Sequence, residues 1–193
     1  HSGVFLAQLT AESGDTAEAL RILRDVRSQN PDLGLGLFAQ LLTAEGSLED
    51  AETVLRAGVK KHPKALSLYA LLAQVRLLGG HRVSAMTALE RAMDQCACGT
   101  GKCGAVPPDL EIVRSLATLY LEDGLEQERA LDLAQQAAGL VQQPRFEDAY
   151  LAALAGRARG DARAEDLVQQ LHTALPEGDP RRGVLQEYLP LAS

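Results

Sequence analysis

The stretch CACGTGKCG at 96–104 holds the chain's only three cysteines, Cys96, Cys98 and Cys103, set among glycines and beside Lys102. Three chemistries suit those residue types. The first is phosphate binding by a glycine-rich loop. That needs Gly five residues before the Gly-Lys pair and Ser or Thr after the Lys. Cys96 and Cys103 occupy those two positions, so the phosphate reading fails. The second is metal binding. C-x-C-x4-C supplies three thiolates where zinc takes four ligands, and it lacks the paired C-x2-C spacing of zinc ribbons. The third is a disulfide from Cys96 or Cys98 to Cys103, which leaves one odd thiol and needs an oxidising compartment. A glycine-rich connection with free thiols is the plain alternative, and the spacing leaves these last three open.

Little else points to catalysis. His1, His62, His81 and His172 are scattered, without HExxH spacing or an acidic partner in register. His172 falls inside a helical pattern and reads as a packing or surface residue. Acid pairs such as Glu49-Asp50 and Glu122-Asp123 read as solvated faces and capping charges. No nucleophile–base constellation is visible, so no catalytic residue is assigned and the chain is not read as an enzyme.

The elements that carry these residues are helical. Hydrophobic residues make up 46% of the 193, but aromatics only 4% with no Trp, so the core is built from Leu, Ala and Val. Ala and Leu favour helix, and strand-favouring residues are few. The formal charge is −7, with 10 Lys/Arg against 11 Asp/Glu in 1–95 and 9 against 15 in 96–193. The acidity sits in the second half, and no basic stripe stands out for a phosphate backbone to follow. A nucleic-acid role is therefore disfavoured, and a partner with basic character is favoured. No apolar run approaches the ~20 residues of a membrane span, which suits a soluble cytoplasmic or periplasmic protein. The chain opens HSGVF without Met or leader, as a segment of a longer protein would, so the compartment is unreadable from it. Arg outnumbers Lys 15 to 4, which points to a GC-rich bacterial genome.

Internal similarity organises the chain. FLAQL (5–9), LFAQL (37–41) and LLAQV (71–75) are near copies, and SLATL (115–119) and YLAAL (150–154) are weaker ones. Gln8, Gln40 and Gln74 are spaced by 32 and then 34 residues, a period that signals stacked helical hairpins. Gly14, Gly46, Gly80, Gly124 and Gly160 close the first helix of each pair, where a left-handed residue is wanted. Asp15 and Ser47 stand where a side-chain oxygen caps the second helix. Ala19, Ala51, Ala85, Ala130 and Ala164 allow close helix approach, with Leu23, Leu55 and Leu89 one turn later on the same face. Pro31, Pro63 and Pro176 end second helices.

These features resemble the tetratricopeptide repeat (TPR) family. Tyr69, Leu72 and Ala73 match its first-helix signature, as do Leu116, Ala117 and Tyr120. The resemblance implies an all-α, right-handed α-solenoid of five hairpins (3–31, 34–63, 66–95, 109–141 and 146–176) as a single array over 1–193. It adds a capping helix at 180–189, PRRGVLQEYL. Gly3 stands where a bulky residue is usual, and the fourth repeat has one extra residue before Ala130.

The resemblance further implies that first helices line a concave groove, and that function is binding of a protein partner. The groove candidates are Gln8, Gln40, Gln74, Thr118, Leu37, Leu71, Arg114, Leu121 and Arg157. An amide both donates and accepts, so a glutamine ladder can pair with the backbone of an extended peptide whatever its sequence. Val4, Gly36 and Ala70 occupy the positions of a carboxylate clamp and Arg114 is the cation present, so an acidic chaperone tail is disfavoured. An apolar peptide or helix fits better. Self-association through the array ends is compatible with this architecture.

Register also places the cysteines. From Gln74 to Thr118 is 44 residues, ten more than the preceding interval, and the excess falls at 96–108 between hairpins three and four. Long inserts map to loops and are often used for binding. His62 ends the second helix of repeat two as Cys96 ends that of repeat three. Packed helices stand ~8–10 Å apart, so His62 is the reachable fourth ligand. The expected function is thus a non-catalytic scaffold without a cofactor. The second reading is a thiol- or metal-responsive module, with zinc or another metal at Cys96, Cys98, Cys103 and His62.

Overall fold

A computed structural model describes residues 2–95, 109–141 and 145–187. Those residues form eleven helices and no strand. The chain divides into two compact units, His1–Pro107 and Pro108–Ser193.

The first unit holds α1 (Ser2–Glu12), α2 (Thr16–Gln29), α3 (Leu35–Ala44), α4 (Leu48–Lys61), α5 (Leu66–Leu78) and α6 (Arg82–Gln95). Successive helices pack as antiparallel pairs, and α4 also packs on α5. The α3–α4 turn shows how the sequence forces the hairpin. Gly46 has φ +85°, a conformation that costs a residue with Cβ. Its N–H donates to the Thr43 carbonyl (3.0 Å), and that of Ser47 donates to Leu42 (2.8 Å). Two carbonyls that would end the helix unpaired are thereby satisfied. Gly14, Gly80, Gly124 and Gly160 have the same sign of φ, as their register requires.

Second helices start less uniformly. Asp15 accepts from the Glu18 N–H at 3.0 Å and caps α2 as expected. Ser47 makes no side-chain cap, which corrects the reading from sequence. Glu49 and Asp50 in the first turn of α4 supply negative charge at that terminus instead. Close approach occurs where small residues were placed: Ala19, Ala51, Ala85 and Ala130 have no exposed surface, nor do Leu23 and Leu55. Gly3 also has a local reason. A Cβ there would lie 2.5 Å from Val26 Cγ2, so α2 fills the space that a bulky first-helix residue fills elsewhere.

The second unit holds α7 (Leu110–Glu122), α8 (Gln127–Leu140), α9 (Phe146–Ala158), α10 (Arg163–Ala174) and α11 (Arg181–Gln186). Asp109 caps α7 by accepting from the Glu111 N–H at 2.9 Å. The extra residue of the fourth repeat is absorbed in the α7–α8 turn. Glu126 there has φ +44°, the one positive φ at a non-glycine among the described residues. Leu185 of α11 is fully buried against Tyr150, Ala153, Leu154 and Val168, so this short helix covers the apolar face of α9 and α10. Phe146 stacks on Tyr150 with ring centroids 6.1 Å apart, extending that face. Residues 188 and 189 of the expected capping segment lie outside the described residues.

Candidate partner-binding clefts

A cleft of about 460 Å³ opens between α3 and α5. Gln40 and Gln74 line it, with Thr43, Ala44, Leu71, Val75 and Leu78. Both glutamines are exposed, and neither amide has a hydrogen-bond partner among the described residues. The Thr43 hydroxyl is already used, donating to the Ala39 carbonyl at 2.8 Å. Leu78 is 59% exposed, a large apolar side chain left at the mouth. The approach of α3 and α5 does not depend on Gly36, where a Cβ would make ordinary contact with Leu71 Cδ1 at 3.5 Å. Two free amides beside an apolar wall can hold a peptide backbone and one or two apolar side chains.

The other expected groove residues are placed differently. Gln8 is exposed but its amide donates to Glu12 Oε1 at 3.1 Å, within α1. Leu37 and Thr118 are half-buried. Leu121 packs against the α9–α10–α11 cluster. Arg157 is exposed on α9. Arg114 is not an open cation. It is 4% exposed, and its guanidinium donates to Asp148 Oδ1 (2.8 Å) and to Glu111. Burial alone would depress its pKa, but the two carboxylates outweigh that and raise it.

His62 also has a partner. Its Nε2 lies 3.4 Å from Asp32 Oδ1, and Lys61 Nζ lies 2.6 Å from Asp32 Oδ2. The lysine hydrogen bond first, then that of His62, holds the Asp32 carboxyl below its ordinary value. Cys96, Cys98 and Cys103 lie outside the described residues; among the described residues no group of three or more metal-ligating side chains is found. His172 is half-buried on α10, and its Nε2 is sealed without a partner.

Two further clefts were not anticipated. One, of about 480 Å³, runs between α8 and α9 and is walled largely by Ala134, Ala138, Ala149 and Ala152. The other, of about 330 Å³, lies between α4, α5 and α6 and carries Arg56, Lys60, Arg76 and Arg91. The signal for the second was present in the sequence: between Thr53 and Leu89 there is no Asp or Glu at all. Comparing the charge of whole halves averaged that run away.

Residues 10–75 match the tetratricopeptide repeat family model. Over those residues the chain is of the tetratricopeptide repeat type. Solved TPR structures resemble it over nearly its whole length. A TPR protein from Parabacteroides merdae matches at TM-score 0.70 and 14% identity, over 96% of this chain and 69% of that one. PilF from Pseudomonas aeruginosa matches at TM-score 0.75 and 15% identity, over 96% of this chain and 80% of that one. A thermophilic TPR protein from Thermus thermophilus matches at 0.62 and 16%, over 96% of each. At these identities the likeness is one of fold, the α-solenoid of TPR hairpins. No curated protein sequence matches the chain. The TPR fold is one of protein-interaction scaffolds, and no described helix is long and apolar enough to cross a membrane.

Proposed function

We propose that this TPR chain is a non-catalytic scaffold that holds an extended segment of a partner protein in the α3–α5 cleft. The observation that carries this is the pair of unpartnered amides, Gln40 and Gln74, beside the apolar wall of half-buried Leu71 and exposed Leu78. Each amide can donate to one backbone carbonyl and accept from one N–H of the segment. The leucines then take an apolar side chain. Such contacts select for apolar character at one position and for extended backbone, rather than for a charge.

The test is peptide display panned on the full chain, with recovered peptides titrated against Gln40→Ala/Gln74→Ala and Leu78→Asp. Net hydrogen bonds contribute about 1 kcal/mol each, so losing at least one at each amide is expected to weaken binding by about thirtyfold or more. Peptides that bind both variants as tightly as the parent chain place the binding surface elsewhere.

A further inference from the structure

The cleft between α4, α5 and α6 has a charge that the rest of the molecule does not share. The chain carries −7 overall, yet Arg56, Lys60, Lys61, Lys64, Arg76 and Arg82 fall in a stretch without an acidic residue. Folding concentrates this bias. Arg56 and Lys60 stand one turn apart on α4, Arg91 comes from α6 and Arg76 from α5, about a floor that includes Tyr69, Leu72 and Ala88.

Two properties distinguish this cleft from a solvated helix face. The first is that three of its four cations are unneutralised. Arg56, Lys60 and Arg91 are exposed and have no acidic partner among the described residues. Exposed cations elsewhere lie in pairs, as Arg21 with Glu18, Lys61 with Asp32 and Arg181 with Asp179, or stand singly, as Arg24 and Arg163; here three converge on one cleft. The second is that Arg76 is held in place. Its side chain is 15% exposed, its Nε donates to Glu52 Oε1 (3.0 Å) and its Nη1 to the Ser84 carbonyl (2.7 Å). Nη2 is left without a partner among the described residues. Beside it, Tyr69 is 6% exposed and its hydroxyl is also unpartnered among those residues, though not sealed from solvent.

We propose that this cleft binds an oxyanion, carboxylate or phosphoryl, carried on an acidic segment of a partner protein. Like charges gathered in one cleft repel one another and focus a positive potential, which an incoming anion relieves. A guanidinium fixed by two hydrogen bonds loses little freedom when its remaining nitrogen takes a third. Arg56, Lys60 and Arg91 add charge-assisted contacts, and the Tyr69 hydroxyl adds a neutral donor. A peptide is favoured over nucleic acid on two grounds. About 330 Å³ accommodates one or two acidic groups, not a track of phosphates. The overall charge of −7 opposes a polyanion beyond the cleft itself. The proposal does not rest on what occupies the glutamine cleft.

The test is fluorescence anisotropy with the full chain at low salt. The probes are a short Glu-rich peptide, its phosphoserine counterpart and an oligothymidylate of equal charge, each fluorescein-labelled. One or both peptides are expected to bind saturably. Arg56→Glu/Lys60→Glu is expected to weaken that binding about tenfold, and Arg91→Gln alone to weaken it in the same direction. Arg24→Glu/Arg163→Glu, at exposed cations elsewhere, is expected to leave it unchanged. The peptide that binds tighter identifies the oxyanion as carboxylate or phosphoryl. The proposal is overturned if neither peptide binds, or if the distant pair of reversals weakens binding as much as the local pair. It is also overturned if the oligothymidylate binds tighter than both peptides.

Discussion

Gln74 and Arg76, two residues apart on α5, line clefts on opposite faces of that helix. Two residues turn an α-helix through about 200°. Leu71, Gln74 and Leu78 therefore form one stripe, and Tyr69, Leu72 and Arg76 the other. The first stripe offers free amides and apolar surface; the second offers fixed positive charge.

Because the stripes share a helix but no side chain, the two clefts are expected to act independently. Gln74→Ala should leave the acidic-peptide affinity unchanged, and Arg56→Glu should leave display-selected peptides unchanged. With both ligands present, affinities should multiply within about 0.5 kcal/mol of additivity. Titrating one ligand into chain saturated with the other measures this. Coupling much beyond that figure would mean that α5 shifts when either cleft fills.

In the second unit, Arg114 and Asp148 form a nearly buried pair with side chains 5% and 11% exposed. Asp148 Oδ2 also accepts from the Arg145 N–H at 2.8 Å, at the start of α9. Asp148→Leu alone leaves Arg114 buried with only the largely exposed Glu111 for company. It should cost about 2–3 kcal/mol, since removing one partner of a buried pair exposes the desolvation cost of the other. Arg114→Leu/Asp148→Leu should recover most of that loss. Urea unfolding monitored by circular dichroism gives both numbers. A double variant no more stable than Asp148→Leu would show that the pair is not what holds α7 to α9.

This pair also marks the boundary of what sequence could reveal. Helix order, glycine turns and the buried alanines follow from local rules repeated at a fixed period, so Gly46, Ala51 and Leu55 could be placed by register alone. Arg114 could not, because its partner lies 34 residues away, one repeat on, and is visible only when hairpins stack. For Gln8 the neighbour is local: Glu12, one turn along the same helix, accepts from its amide. Glu126 occupies a left-handed position that no residue-type preference would assign to glutamate. The basic cleft was legible in the run from Thr53 to Leu89, but its convergence on Arg76 needed the packing of α4 and α6 on α5.

Gly156 sets how closely α9 and α10 approach. A Cβ on it would lie 3.0 Å from Ala164 Cβ, a methyl on a helix backbone that cannot swing aside. Gly156→Ala gains about 1 kcal/mol in helix propensity but overpacks at about 1–3 kcal/mol. The net expectation is a modest fall in melting temperature, reversed when Ala164→Gly is added. A stabilised Gly156→Ala chain would show that α10 moves freely away from α9.

The last expectation concerns acid. Asp179 Oδ1 accepts from the Arg181 N–H at 2.9 Å, and Oδ2 meets Arg181 Nη2 at 2.7 Å. The Arg181 guanidinium in turn lies 4.8 Å from the centre of the Phe146 ring, which ties α11 to the start of α9. The side-chain bond to Arg181 first, then the backbone one, hold the Asp179 carboxyl down to about 2 from an ordinary 3.8. A carboxyl with a depressed folded-state pKa stabilises fully above its unfolded pKa and loses that contribution as pH falls through the folded one. The difference in urea midpoint between the parent chain and Asp179→Ala should thus be constant above about pH 5, shrink below pH 4 and vanish near pH 2. Glu18 and Asp32 also have lowered values, but they are common to both chains and cancel in the difference. A difference that stays constant down to pH 2 would assign the effect of Asp179 to the geometry of its turn rather than to its charge.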